Sequence, residues 1–129
     1  MTRKAHILLV DDDPAENLIL RALIRKVSNV DIQLHYCQTM EGALAFLSSG
    51  QPVSMILLDN RLKPQVDFRE TVPALRLHGY IGPIGVISAS LAEPYFQKLE
   101  EYGADFRIDK AEIDPTAIDF ILREYLPRE

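Results

Sequence analysis

The sequence has one cysteine, no long apolar run and no excess of positive charge, and each shortage excludes a class of protein. Cys37 stands alone, so an internal disulfide is impossible, and no cysteine or histidine cluster has zinc-site spacing. The first apolar run is too short for a signal peptide or a membrane span. A net charge of −5 is unlike the basic face of a nucleic-acid-binding protein. These shortages favour a cytoplasmic protein that binds neither membranes nor nucleic acid.

Length and composition indicate one globular domain. The chain has 129 residues, of which 47% are hydrophobic and 26% charged. A chain of this size buries enough surface to form a core without disulfides or structural metals. No repeat, low-complexity tract or linker divides it. We therefore expect a single domain over residues 1–129, with its core between about residues 5 and 126 and no output domain.

The segment around which the rest is organised is the apolar run at residues 55–58, which ends at Asp59. Its length, and the prolines on either side, Pro52 and Pro64, predict a strand buried on both faces of a sheet. A charged aspartate is not tolerated inside such a strand, so Asp59 is expected at its carboxyl end. In open α/β sheets, ligands bind at that edge.

The same pattern recurs and predicts five strands that alternate with five helices. Strands are expected at residues 5–10, 31–37, 53–58, 84–88 and 106–108. Helix starts are predicted from capping residues and prolines: Asp13 with Pro14, Thr39, Pro94, and Asp114 with Pro115. Gly50 and Gly103 should follow the second and fourth helices, and the last helix should run through Leu126. This alternation predicts a parallel sheet with helices on both faces.

Two helices carry more detailed expectations. In the first, a polar stripe is expected at Asn17, Arg21, Arg25 and Ser28. Its buried side is expected at Leu18, Ile19, Ala22, Leu23 and Val27. The third helix, within residues 67–78, contains Pro73, which does not fit a regular helix interior. That helix is therefore expected to be kinked or to begin late, with Thr71 as its cap.

The predicted strand ends bring chemically matched side chains to one edge of the sheet. They are Asp11, Asp12 and Asp13 from the first strand, Asp59 from the third, Ser88 from the fourth and Lys110 from the fifth. Clustered carboxylates repel one another unless a cation neutralises them, and their oxygens suit Mg²⁺, which also binds phosphate. Lysine and serine bind phosphoryl oxygens, and an aspartate can attack phosphorus. The residues thus predict magnesium-dependent phosphoryl chemistry.

This set of residues resembles the receiver domain of two-component response regulators. The matching motifs are Asp11-Asp12, Asp59, Ser88-Ala89 and Lys110, each after an apolar strand. The resemblance covers residues 5–126 and implies a flavodoxin-like, doubly wound sheet of order 2-1-3-4-5 with five helices.

The resemblance also implies a role for each matching residue. Asp59 corresponds to the phosphoacceptor, and Ser88 and Lys110 correspond to the pair that holds the phosphoryl oxygens. The implied Mg²⁺ ligands are Asp11, Asp12, Asp59 and the backbone carbonyl of Arg61.

Three departures from the family pattern make this an atypical receiver. Arg107 occupies the position, three residues before the lysine, where receivers usually have tyrosine or phenylalanine. The neighbouring Phe106 should point to the opposite face of its strand. Ala111 replaces the usual proline after Lys110, so a cis peptide bond is not expected there. The loop after Asp59 also lacks the usual pattern. An intact phosphorylation site with a reworked signalling face is the resulting interpretation.

The implied function is that of a stand-alone receiver, not a turnover enzyme. It accepts a phosphoryl group from a histidine kinase or a histidine phosphotransfer protein. It then alters its binding to a downstream protein, or acts as a phosphate shuttle or sink.

Two alternatives stay open. Asp11 and Asp13 also resemble the nucleophile and acid/base of haloacid-dehalogenase-type phosphatases. Those enzymes need an acidic pair after the lysine, whereas here Asp109 precedes it and Asp114 has the pattern of a helix cap. The second alternative is a degenerate, phosphate-independent interaction module, which the changes at Arg107 and Ala111 suggest.

Overall fold

Five strands, of which β3 and β4 are buried along their whole length, form a parallel sheet in the order β2-β1-β3-β4-β5 in the computed structural model. The structure describes residues 3–27, 30–65, 67–89 and 93–126. The strands are β1 (Arg3–Val10), β2 (Val30–Cys37), β3 (Met55–Asp59), β4 (Ile84–Ser88) and β5 (Phe106–Asp109). The α-helices are α1 (Pro14–Ile24), α2 (Met40–Ser48), α3 (Phe68–Leu77) and α4 (Pro115–Tyr125). A 3-10 helix (Pro94–Tyr102) joins β4 to β5, and a 3-10 turn (Lys110–Glu112) follows β5. The predicted fold class and strand order are confirmed.

The sheet is buried on both faces. Every residue of β3 is buried, as predicted for a central strand. One core contains Leu8, Ile56 and Leu58 and lies under α2, α3 and the 3-10 helix. The other contains Leu9 and residues of α1 and α4. Successive strand residues point to opposite faces, so β1, β3 and β4 each contribute to both cores.

The predicted caps of α1, α2 and α4 are confirmed. Asp13, Thr39 and Asp114 each accept a hydrogen bond from a backbone N–H in the first turn of α1, α2 and α4. Gly50 and Gly103 have φ of 83° and 98°, the left-handed conformation that glycine adopts most readily. None of the described helices combines the length and apolar composition needed to cross a bilayer.

The predicted buried side of α1 is wrong at three of its five positions. Leu18 and Ile19 are 67% and 53% exposed, and Ala22 is also exposed. Leu23 and Val27 are partly buried against the core, as predicted, and Leu20, which was not predicted, is the buried residue of this helix. Apolar residues occur all around this helix, so periodicity alone did not identify the face that meets the sheet. The predicted polar stripe is only partly exposed, because the Arg21 guanidinium turns inward and donates to the Leu34 carbonyl at 3.2 Å. Ser28 lies outside the described residues.

The cap predicted for α3 is also wrong. Asp67 caps this helix by accepting from the Arg69 N–H at 2.9 Å, and Thr71 is fully buried within it. The helix continues through Pro73. Burial of Phe68, Val72 and Leu75 along one side offsets the backbone hydrogen bond that proline cannot make.

The fourth helical segment begins at Pro94, as predicted, but has 3-10 geometry with a break at Lys98. Its buried positions are Phe96 and Leu99, with Tyr102 partly buried. A spacing of three residues keeps side chains on one face when the helix has three residues per turn, so this spacing suits a 3-10 helix better than an α-helix.

Phe106 lies on the α4 side of β5, as expected, whereas Arg107 is exposed. The Phe106 ring stacks on Tyr125 with ring centroids 4.4 Å apart. It also covers Gly85, its register partner in β4, and a Cβ atom at Gly85 would overlap the ring. Glycine is therefore required at this position because an aromatic ring occupies the space of its side chain.

We expect Gly85→Ala to lower the free energy of unfolding by about 1–3 kcal/mol, as for other overpacked cores. Urea denaturation measures the loss. In a Phe106→Ala background, where the ring is absent, the same substitution should cost much less. Equal costs in the two backgrounds would show that the ring contact is not the cause.

Candidate functional site

The strand order places the end of β1 beside the end of β3. Val10 pairs with Leu58, so the next residues, Asp11 and Asp59, emerge side by side at the carboxyl edge. The Asp11 backbone is held from β2, because its N–H donates to the Cys37 carbonyl and its carbonyl accepts from the Tyr36 hydroxyl at 2.7 Å. The Asp11 carboxylate also accepts from the Asp13 N–H at 2.9 Å, which fixes its direction.

Three carboxylates meet at this edge. Asp11, Asp12 and Asp59 each place an oxygen within 4.8 Å of the others. Asp11 and Asp59 are buried, at 1% and 7% exposure, whereas Asp12 is exposed. Asp13 is not part of this group, because its carboxylate accepts from the Ala15 N–H and caps α1.

Lys110 supplies positive charge to this group. Its ammonium lies 3.4 Å from an Asp59 oxygen and 3.7 Å from an Asp11 oxygen. The turn that presents it is fixed by Asp109, whose carboxylate accepts from the Ala111 N–H at 2.9 Å. Ala111 follows Lys110 through a trans peptide bond, as predicted, since the one cis bond among the described residues joins Lys63 and Pro64.

A cavity of about 250 Å³ opens beside Asp59. Its lining combines residues from the ends of β3, β4 and β5 with the start of the 3-10 helix: Asp59, Asn60, Arg61, Ser88, Ala89, Glu93, Tyr95 and Lys110. The predicted site residues Ser88 and Lys110 thus share one cavity with Asp59. The backbone of Arg61 acts to lower the pKa of the Asp59 carboxyl.

Burial leaves this site with uncompensated negative charge. It raises the pKa of Asp11 from 3.8 to about 6, and the charge on Asp59 adds to the rise. Burial also raises the pKa of Asp59, although Lys110 opposes it. Burial acts to lower the pKa of the Lys110 ammonium, but the carboxylates of Asp59 and Asp11 outweigh it and the net change is upward. One ammonium therefore does not neutralise the acidic group.

The structure brings together Asp11, Asp12, Asp59, Ser88, Arg61 and Lys110. Sequence reasoning did not include Asn60, although this residue is 2% exposed and directly follows Asp59. An amide directly after the strand-end carboxylate was the available signal. Sequence reasoning also did not include the Tyr36 hydroxyl bond to Asp11 or Tyr95 in the cavity, because both depend on contacts between distant segments.

The acidic group fits a magnesium ion by its chemistry. Three carboxylate oxygens close together, one of them from an exposed side chain, match the oxygen ligation and retained waters that Mg²⁺ prefers. The raised pKa of Asp11 and of Asp59 indicates charge that a divalent cation neutralises.

No protein-family model matches the chain, and neither does any curated protein. Among solved structures, a LuxR family DNA-binding response regulator from Silicibacter pomeroyi is 25% identical, with a TM-score of 0.75 over 96% of this chain and 98% of that chain. The chain has the receiver fold of response regulators.

Other solved receivers agree. The receiver domain of a sensor histidine kinase from Pseudomonas aeruginosa, which has a magnesium ion in its active-site cleft, is 20% identical, with a TM-score of 0.74 over 95% of this chain and 97% of that chain. A chemotaxis protein of Vibrio cholerae is 19% identical, with a TM-score of 0.77 over 95% of this chain and 99% of that chain. The predicted resemblance to receivers is thereby confirmed.

The buried charge of Asp11 predicts how stability depends on pH when no metal is bound. Because the pKa is raised on folding, the folded protein binds the proton more tightly than the unfolded chain does. Stability should therefore fall as pH rises from about 4 to above 6. The change from 3.8 to about 6 corresponds to up to about 3 kcal/mol.

In EDTA, Asp11→Asn should raise the melting temperature by several degrees at pH 7.5 and leave it nearly unchanged at pH 4. The amide oxygen can still accept from the Asp13 N–H, so the local backbone is kept. A variant that melts lower than the parent at pH 7.5 would contradict the idea that this buried charge destabilises the metal-free protein.

Proposed function

We propose that the chain is a phosphoacceptor receiver of a two-component or phosphorelay pathway, with Asp59 as the acceptor. The observation that carries the proposal is the position of the Lys110 ammonium, shared between Asp59 and Asp11 at the edge of one cavity. Such an arrangement provides a carboxylate to attack phosphorus and a cation for the charge that the phosphoryl group brings. The neighbouring receiver folds support the same class of function.

Phosphoryl transfer to Asp59 replaces one bond to phosphorus with another. An Asp59 carboxylate oxygen attacks the phosphorus of a phosphohistidine, forming a P–O bond while the P–N bond breaks. The bonding pair leaves with the imidazole nitrogen, which takes up a proton. Lys110 holds one phosphoryl oxygen and the Ser88 hydroxyl another, and positioning with such cations supplies most of the catalysis in phosphoryl transfer.

Asp11, Asp12, Asp59 and the Arg61 carbonyl would hold a magnesium ion beside the acceptor. That ion would supply positive charge against the carboxylates and the developing charge on the phosphoryl oxygens. The N–H of Asp13 keeps the Asp11 carboxylate directed for this role.

The phosphoryl donor in this proposal is a histidine kinase or a histidine phosphotransfer protein. The chain would then meet its donor in the cytoplasm. The domain is a signalling component, not a turnover enzyme. Phosphorylation changes its affinity for a downstream protein, or the phosphoryl group is passed on.

One observation favours a phosphate-independent interaction module as the second candidate. Arg107 is exposed on β5, at the position where receivers usually have an aromatic residue that responds to phosphorylation. The assembled cavity favours phosphorylation instead. Nothing in the geometry favours the phosphatase, because Asp13 caps α1 and stands apart from the three-carboxylate group.

Incubation with Mg²⁺ and acetyl phosphate should add one phosphoryl group to the chain, seen by intact-mass spectrometry and lost on treatment with base. Asp59→Asn should abolish the gain, because the amide is not a nucleophile toward phosphorus. Asp13→Asn, a nearby change that retains a helix-capping side chain, should keep it. No gain in the parent protein rejects the proposal and favours the interaction module.

Millimolar Mg²⁺ should raise the melting temperature, because a ligand that binds only the folded state stabilises it by mass action. The rise should be much smaller in Asp12→Asn, which lacks one carboxylate of the group, and unchanged in Asp13→Asn. Thermal melts with and without EDTA measure it. Equal shifts in both variants would place the ion elsewhere.

A further inference from the structure

Asn60 links the proposed acceptor to two other segments. It follows Asp59 directly and is buried. Its side-chain oxygen accepts from the Phe68 N–H, the first of α3, at 3.1 Å. Its side-chain nitrogen donates to the Tyr95 hydroxyl, in the 3-10 helix, at 3.4 Å. A change at Asp59 therefore has a direct route to the start of each of these helices.

The Tyr95 ring is held from two sides. The Arg69 guanidinium lies over it, 4.3 Å from the ring centroid, and the Phe68 ring meets it edge to face at 5.5 Å. Arg69 is itself fixed by an ion pair with Asp67 at 2.7 Å. The ring is thus positioned by α3, and its hydroxyl is directed toward the acceptor loop.

The Tyr95 hydroxyl can both accept and donate hydrogen bonds at the cavity. Its oxygen accepts from the Asn60 amide, which leaves its proton for a second partner. Tyr95 lines the same cavity as Asp59, Ser88 and Lys110. A phosphoryl group on Asp59 would bring charged acceptor oxygens into that cavity.

The bond that the Tyr95 hydroxyl accepts from Asn60 and the bond that it would donate to a phosphoryl oxygen differ in strength. At 3.4 Å, the bond from Asn60 is at the long limit for a neutral pair. A bond from the hydroxyl to an ionised phosphoryl oxygen is charge-assisted and about twice as strong as a neutral one. Donation to the phosphoryl group is therefore favourable, and it does not require the bond from Asn60 to break.

The segment that carries Tyr95 is suited to move. Its 3-10 hydrogen bonds have poorer geometry than those of an α-helix, and regular geometry already breaks at Lys98. Strand β5 does not offer an alternative, because Phe106 is packed over Gly85 on the other face of the sheet and Arg107 has no aromatic ring.

We propose that Tyr95 is the residue that reads out phosphorylation of Asp59. Its hydroxyl donates to the phosphoryl group with the proton that the bond from Asn60 does not use, and the 3-10 helix Pro94–Tyr102 shifts with it. The inference rests on the proposed function, since it requires a phosphoryl group on Asp59. It adds the element that moves and the side chain that moves it.

The test is hydrogen–deuterium exchange of the full chain with Mg²⁺, with and without beryllofluoride, a phosphoryl mimic. In the parent protein, exchange should change both in the peptide that contains Asp59 and in the peptide that covers the 3-10 helix. In Tyr95→Phe, which removes only the hydroxyl, the Asp59 peptide should respond and the 3-10 helix should not. Tyr102→Phe, on another ring that meets Phe68 edge to face, is the matched control and should behave as the parent does.

The outcomes separate the two proposals. No response of the Asp59 peptide in the parent rejects the proposed function and this inference with it. A 3-10 helix that responds equally in the parent and in Tyr95→Phe rejects the inference alone. Loss of the Asp59 response in Tyr95→Phe also rejects it, because Tyr95 is then needed for binding and not for read-out.

Discussion

The structure depends on acidic side chains that are buried together and are only partly neutralised. Two buried aspartates, Asp11 and Asp59, share one ammonium from Lys110. Holding such charges close requires rigid support, which comes from a central strand buried on both faces and from backbone hydrogen bonds to the Asp11 peptide group. The unbalanced charge suits the site to a divalent cation, which is the basis of the proposed phosphoryl chemistry.

The two faces of the sheet have different tasks. On the α4 side, Phe106 fills the space above Gly85 and stacks on Tyr125, which fixes β5 and therefore Lys110 at its end. On the opposite side, the 3-10 helix packs through Phe96 and Leu99 at a spacing of three residues. The rigid side positions the charges, and the less regular side carries the residue proposed to respond to them.

Patterns that depend on local chemistry could be predicted from the sequence. Charged residues that end apolar strands gave the site, and capping side chains gave most helix starts. The buried face of α1 was only partly predictable in this way, because leucine and isoleucine occur all around that helix. Packing on the sheet, and not periodicity, selects Leu20 as its buried residue. Asp67 was not predicted as the cap of α3, because Pro73 indicated that this helix begins later. The contact between Asn60 and Tyr95 joins residues 35 apart, and no spacing rule indicates it.

The same distinction explains why fold comparison finds relatives where sequence comparison finds none. The solved receivers described above are 19–25% identical, yet each covers at least 95% of this chain. Many different apolar residues can fill the buried strands of such a sheet, so the fold constrains the identity of few residues. Phosphoryl chemistry constrains only the handful of strand ends where carboxylates, a hydroxyl and an ammonium must meet. Positions outside those strand ends are less constrained. They include Arg107 on β5 and Tyr95, the residue proposed to read out the site.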